Sequence, residues 1–356
     1  KTAVKKGVNP DFLVVIENEN CSSQVTGVDI KNMNIIVHPM TNKKFLEIPV
    51  KRKFNYYPDN DFTALWLANI LNISVNDYKN KGTVSICALY SAKILGCNPI
   101  ILIGQDLAYS DSNCYSENSP YHNLKIRKNP ETSKYELYPD DLEAYIRSLM
   151  PSTANEENYK IAKWHALNTI STINKNLSFV IGQNGEMLPT NPDYASFIKH
   201  FENAAFEYGN SVKFINSTEG GAYIQGFEHI PLAESLERYG NIIFNKDEII
   251  LNALSNIENS FEYNSKKILK ELDKVILLTE EAVKYFEKGK DSALKMKKEF
   301  ETRKVPTDTF KSYLKSALSC YIKLVETILI KNVLLQGLIY PQYLKLSRYL
   351  AVTGDN

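Results

Sequence analysis

The chain is short of most residues and patterns that announce a specialised chemistry. Its five cysteines, Cys21, Cys87, Cys97, Cys114 and Cys320, are odd in number and scattered, with neither a CxxC pair nor a Cys/His cluster at zinc-finger spacing. A disulfide framework is thereby excluded, and a reduced, cytoplasmic chain is expected. No stretch approaches the roughly 20 apolar residues of a membrane span, and Lys1 to Gly7 holds no signal-peptide core. Charge of one sign is also missing. With 42 Lys and Arg against 41 Asp and Glu the formal balance is +1, so no basic field draws in nucleic acid or an anionic membrane. Any anionic ligand must be held locally. There is no Walker A loop, no GxGxxG turn and no repeat of 20 to 50 residues, and no paired-carboxylate metal motif of the DxD kind stands out. No cofactor is expected. The sequence also lacks an initiator Met and runs from a short basic stretch straight into a strand, so an upstream segment is expected.

What is present is a globular composition: 356 residues, 44% hydrophobic, enough for one large core and a smaller second domain. Phe12 to Ile16 reads as a buried strand ending in the polar edge Glu17-Asn18-Glu19-Asn20, and Asn34 to His38 reads as a second. Phe62 to Leu71 has helical spacing. Gly82 to Leu95 carries Val84, Ala88, Ala92 and Leu95 near one face, and Gly96-Cys97-Asn98-Pro99 leads into the strand 100–103. Ala108 to Ser152, rich in Tyr, Ser, Asn and Pro, lacks periodicity until Asp140 and reads as a long excursion, a candidate lid or a plain surface insertion. Tyr159 to Asn174 is helical, Phe179 to Gly182 a strand, Pro192 onward a helix, and Val212 to Ile215 the last clear strand.

From about residue 246 glycines thin out, and apolar residues recur at three- and four-residue intervals: Ile249, Leu251, Leu254, Ile257, then Leu269, Leu272, Ile276 and Leu277. Pro306 separates two helices, the second marked by Leu314, Leu318, Tyr321, Leu324, Ile328 and Ile330. The expected architecture is α/β, Rossmann-like, with a mostly parallel sheet covered by helices on both faces over residues 1–240, followed by an all-α bundle over 241–356.

Three polar segments at strand or helix ends form the candidate site. Ligands of open α/β sheets bind outside the carboxyl ends of the strands, where Gly104, Gln105 and Asp106 follow Ile100 to Ile103. Gly82, Thr83, Val84 and Ser85 offer free backbone N–H groups at a helix start, suited to a phosphate or carboxylate, although Thr and Ser there are often simple caps. Asn216, Ser217, Thr218, Glu219, Gly220 and Gly221 set an amide, two hydroxyls and a carboxylate beside two glycines, a composition that turn chemistry alone also explains. Asp106 equally suits a turn cap. Of the histidines, His38, His165, His200 and His229 read as structural or surface residues, and His122 lies in the excursion.

Taken together, Pro10 to Glu17, the segment GTVSICALYSAKILGCNPIILIGQDLAYSD from Gly82 to Asp111, and INSTEGGAYIQGFEHIPL from Ile215 to Leu232 resemble the motility accessory factors (Maf). These are flagellin glycosyltransferases with an MptE-like domain shared with hydroxymethylpterin pyrophosphokinase-like proteins. The middle segment is also similar, more distantly, to bacterial sialyltransferases that use CMP-sialic acid. Two positions depart from the family: its glycine-rich first turn is absent, and the His that usually follows the helix start is Ile86.

The resemblance implies transfer of a CMP-activated nonulosonic acid, of the pseudaminic or legionaminic type, to Ser or Thr of flagellin, without a metal. It implies that Gly82 to Ser85 and Gly220-Gly221 hold the sugar carboxylate and phosphate, with Tyr109 and Tyr115 as further phosphate donors and Glu17 at the first strand edge. Asn216 to Thr218, with Gln105 or Asp106, would grip the cytidine. Glu219 and Asp106 are the expected catalytic residues. The sialyltransferase His has no counterpart in Met187 to Thr190, so the base is open among Glu219, Glu186, Asp193 and His122. Two other functions stay in view: a pterin pyrophosphokinase, and a non-catalytic flagellin-binding module.

Overall fold

Apolar runs bounded by Gly, Pro, Asn and Asp become the strands of this chain, and three- and four-residue apolar spacing becomes its helices. The computed structural model describes residues 2–18, 20–58, 61–72, 82–109, 114, 123–150, 155–241, 245–255, 261–304 and 306–327. In chain order these form α1 (Thr2–Lys5), β1 (Phe12–Val15), β2 (Asn34–Val37), α2 (Lys43–Leu46), β3 (Arg52–Asn55), α3 (Phe62–Leu71), α4 (Val84–Ile94) and β4 (Ile100–Leu102). There follow β5 (Leu124–Lys128), β6 (Tyr135–Pro139), α5 (Leu142–Ser148), α6 (Glu156–Lys175), β7 (Ser178–Ile181), β8 (Met187–Thr190) and α7 (Pro192–Tyr208). The last are β9 (Phe214–Asn216), β10 (Glu228–His229), α8 (Leu232–Tyr239), α9 (Lys246–Ser255), α10 (Phe261–Arg303) and α11 (Asp308–Val325).

The chain is mixed α/β with parallel pairing, followed by a helical region. Strands β4, β9 and β10 form a parallel sheet in the order β10-β9-β4, and β1, β2 and β3 form a second sheet in sequence order. Two antiparallel hairpins, β5–β6 and β7–β8, complete the strands among the described residues. By contact the chain divides into two units: residues 1–36, 42–54 and 79–245, and residues 37–41, 55–78 and 246–356.

In the first unit, α4 packs on β1, β4 and α7 and buries Ile86, Cys87, Leu89, Tyr90 and Ser91. Its small residues allow that close approach. Gly96 at φ +80° ends the helix, and Asn98 Oδ1 accepts from Lys213 N at 2.9 Å, which brings β4 alongside β9. Ile103, read as the fourth residue of a buried strand, is exposed beyond the end of β4, because the backbone leaves the sheet one residue earlier.

The excursion after Ala108 is more structured than its composition suggests. Residues 124–139 form the β5–β6 hairpin, Asp141 caps α5, and Leu124, Ile126, Leu137, Tyr145 and Ile146 form a buried cluster with Ala162 and Ala166 of α6. Alternation along β5, Leu124-Lys125-Ile126-Arg127, is the strand signal hidden in that stretch.

In the second unit, α10 and α11 pack antiparallel: Gly289 meets Cys320, Ser292 Oγ lies 3.0 Å from Ser316 Oγ, and Phe300 faces Phe310. Trp66 of α3 packs with Val275, Leu278, Ala282 and Leu324. Several positions that marked the bundle in sequence are not its core. Ile249, Leu251, Leu269, Ile276, Leu277, Leu314, Leu318 and Tyr321 are exposed, while Val275, Ala282 and Cys320 are buried. Helical spacing identifies a helix, but two long helices cover only one face of each other. The side chain of Leu254, and all of Ile257, Ile328 and Ile330, lie outside the described residues.

Candidate functional site

Strands β4 and β9 run parallel with Leu102 level with Asn216, so the loops that follow them leave the sheet side by side at its carboxyl end. Backbone and hydroxyl contacts then lace the loops together. Ser217 N donates to Leu102 O at 2.9 Å, Gln105 N to Thr218 Oγ1 at 3.0 Å, and Ala222 N to Asp106 O at 2.7 Å. Four residues here have left-handed backbone: Gly104 at φ +68°, Leu107 at +52°, Glu219 at +63° and Gly221 at +72°. For Leu107 and Glu219 that conformation costs about 1–2 kcal/mol and persists only where the surroundings impose it. The β7–β8 turn joins them through Gln183, whose N donates to Gly221 O at 3.1 Å and whose Nε2 donates to Gly220 O.

Several polar groups expected to reach a ligand are engaged within this frame. Asn216 is fully buried; its Oδ1 accepts from Thr218 N at 3.1 Å, while its Nδ2 has no acceptor among the described residues. A buried donor left over at a strand end is uncommon in folded proteins. Ser217 Oγ lies 2.7 Å from Ser235 Oγ of α8, both buried, and Thr218 Oγ1 serves Gln105. Glu219 is exposed, and its Oε1 accepts from Leu232 N at 2.7 Å, at the first residue of α8. Of the polar residues of these loops, Asp106 and Glu219 are exposed and Gln105 is half-buried.

Tyr109 is built into a wall. Its hydroxyl accepts from Asn191 Nδ2 at 2.8 Å, its N donates to Pro189 O at 2.8 Å, and its ring lies 5.6 Å from that of Tyr194. Asn191 also caps α7, accepting from Tyr194 N at 2.9 Å. Pro192 marks the helix start in the sequence, whereas the reach of Asn191 to Tyr109 depends on tertiary contact. At the start of α4, Gly82 has φ +78°, and a methyl group there would lie 3.8 Å from Phe197 of α7. Thr83 caps α4 through Ser85 N at 3.4 Å, Thr83 and Ser85 are half-buried, and Val84 is exposed.

Glu17 follows β1, exposed, and its carbonyl accepts from Asn42 N at 2.9 Å, which ties that edge to α2. Glu186 Oε2 accepts from Asn184 N at 3.0 Å within the β7–β8 turn. Asp193 is exposed in the first turn of α7. Tyr115 and His122 lie outside the described residues. Among the described residues no group of three or more His, Cys, Asp or Glu is arranged to hold a metal ion, and no helix is long and apolar enough to cross a membrane.

Residues 1–112 match the model of the 6-hydroxymethylpterin diphosphokinase MptE-like family, in agreement with the resemblance read from the sequence. That match spans β1 to β4 and the Gly104-Gln105-Asp106 edge. Among solved structures, the chain is similar to a MAf glycosyltransferase from Magnetospirillum magneticum AMB-1 at 14% identity and a TM-score of 0.48. The alignment covers 91% of this chain and 44% of that one, so the chain spans less than half the length of this relative. A search of curated proteins gave no match.

Proposed function

We propose that this chain is a glycosyltransferase that moves a nonulosonic acid from a CMP-activated donor to Ser or Thr of flagellin, without a metal, in the cytoplasm. The observation that carries the reading is the lacing of the Gly104–Asp106 edge to Thr218–Ala222, which holds the exposed Asp106 and Glu219 at one sheet edge. The MptE-like match over residues 1–112 and the TEGGA string at Thr218 to Ala222 support it.

In such a transfer the bond between the anomeric carbon and the CMP phosphate oxygen breaks, and its electron pair leaves with the phosphate. The acceptor hydroxyl oxygen bonds to that carbon through an oxocarbenium-like transition state and gives its proton to a base. Donors fixed before reaction cost little reorganisation as charge develops on the leaving phosphate. Backbone N–H groups at Gly82 to Ser85 and at Gly220-Gly221 are assigned that task, Asp106 and Gln105 bind the donor, and Glu219 receives the proton. Proton removal of this kind contributes about 10²–10⁴-fold.

The name of the matched family favours a second reading, a diphosphokinase acting on a pterin. Calorimetric titration of the full chain with CMP, ATP and GTP separates the two. Tight CMP-selective binding that Asp106→Ala weakens at least tenfold is the expected result. Preference for ATP with Mg²⁺ would favour the diphosphokinase, and indifference among nucleotides would leave a non-catalytic flagellin-binding module. Turnover that survives exhaustive chelation is expected; strict dependence on added divalent metal would refute the metal-independent step.

A further inference from the structure

Within the first unit a cavity of about 520 Å³ lies between the β5–β6 hairpin, α5, α6 and the start of α7. Its size falls in the range of small-molecule sites, which runs from about 300 to 1,000 Å³. It is not lined by Gln105, Asp106 or any residue from Asn216 to Gly221. Two features describe what it would accept.

The first is a run of aromatic rings along the wall. Tyr109 and Tyr194 lie 5.6 Å apart between centroids, and Tyr194 and Phe197 lie 6.3 Å apart. One amide holds part of this platform: Asn191 donates to the Tyr109 hydroxyl and accepts from the Tyr194 backbone, so those positions are fixed without a ligand. Flat rings fixed in this way bury an apolar ligand face at little entropic cost.

The second is the charge of the polar groups. Asp193, His165 and Thr169 line the cavity, and no Lys or Arg does so among the described residues. A carboxylate without a facing cation repels phosphates and carboxylates, but it is a good acceptor for hydroxyl groups. An acidic nine-carbon sugar or a nucleotide phosphate is therefore a poor occupant.

We propose that this cavity binds an uncharged, polyhydroxylated ring, a neutral hexose-type sugar, with one ring face on Tyr194 and Phe197 and hydroxyls donated to Asp193. The inference rests on the cavity alone and is independent of the CMP-sugar reading. Saturation-transfer NMR on the full chain tests it, with methyl glucoside, galactoside, mannoside and N-acetylglucosaminide as neutral probes, the methyl glycoside of sialic acid as the charged one, and cytidine. At least one neutral glycoside should bind saturably, and Phe197→Ala and Asp193→Asn should each weaken it at least tenfold. Since Asp193 is exposed, its variant keeps the test readable if Phe197→Ala does not fold. No saturable neutral probe, binding that Asp193→Asn leaves unchanged, or tighter binding of the charged glycoside or cytidine would each overturn the proposal.

Discussion

Asp106 and Gly221 meet backbone to backbone: a methyl group on Gly221 would stand 2.5 Å from the Asp106 Cα. The next residue, Ala222, donates its N–H to the Asp106 carbonyl at 2.7 Å. Two loops more than a hundred residues apart in sequence are thus held at the closest approach that backbones allow, and the Asp106 carboxylate is presented from a fixed frame.

That contact distinguishes two glycines of similar backbone geometry. Among the described residues Gly104 at φ +68° has nothing within 4 Å of a notional Cβ, whereas Gly221 at φ +72° has the Asp106 backbone there. Gly104→Ala should cost only the left-handed penalty, about 1–2 kcal/mol. Gly221→Ala adds a clash that only backbone separation relieves, so a loss of about 3 kcal/mol or more is expected. Urea unfolding of the two variants measures the difference; equal losses would show that the two loops are not held together as described.

Cys114 packs against the buried cluster of the β5–β6 hairpin, α5 and α6, and burial pushes its thiol pKa up to about 12. At pH 8 almost none of it is thiolate, the form that reacts with alkylating agents. Cys97 is exposed, with a pKa raised to a lesser degree by desolvation. Iodoacetamide at pH 8 should therefore modify Cys97 well before Cys114 in the folded chain, and denaturation should remove the difference. Peptide mass mapping over a time course reads both rates.

His38, at the end of β2, is buried; its Nδ1 accepts from Met40 N at 3.1 Å, and its Nε2 lies 3.5 Å from the Asp61 carboxylate. Desolvation lowers its pKa, and Asp61 only partly offsets that. The folded state thus binds the proton less readily than the unfolded one, whose His titrates near 6.5. Above that pH the residue contributes no pH dependence. Below it the unfolded state takes up more proton, and stability falls until the folded pKa is passed. Between pH 7.5 and 5, wild type should lose more stability than His38→Asn, by the denaturation midpoint at each pH. Parallel profiles would contradict the stated protonation.

What could be read in the sequence follows local signals. Ile100 to Leu102 between Pro99 and Gly104 reads at once as a strand, and Thr83 before an apolar helix reads as its cap. Strands without such contrast do not show. In β3, Arg52-Lys53-Phe54-Asn55, only Phe54 is apolar, and Pro189 sits inside β8, which pairs only with β7 among the described residues. The order of events at the site was hidden for another reason. Nothing local indicates that the Ser217 hydroxyl meets Ser235, that Thr218 serves Gln105, or that Asn191 links Tyr109 to α7, because each partner is distant along the chain or fixed by packing. The sequence therefore supplied the segments of the candidate site, and tertiary contact decides which of their groups are free to meet a ligand.

Glu219 is where that distinction can be measured. Its Oε1 accepts from Leu232 N at the start of α8, where Pro231 offers no side-chain cap. Removing the acceptor leaves an unpaired N–H at a helix start, worth about 0.5–2 kcal/mol. Glu219→Ala should lose that stability; Glu219→Gln should keep most of it, since an amide oxygen still accepts from Leu232 N. A base needs the carboxylate, which the amide does not supply. If Glu219 receives the acceptor proton, Glu219→Gln should fold as wild type and bind CMP normally, yet transfer sugar about 10²-fold more slowly or worse. Unchanged turnover in a stable Glu219→Gln chain would assign Glu219 to capping α8 and return the base to Asp193 or Glu186.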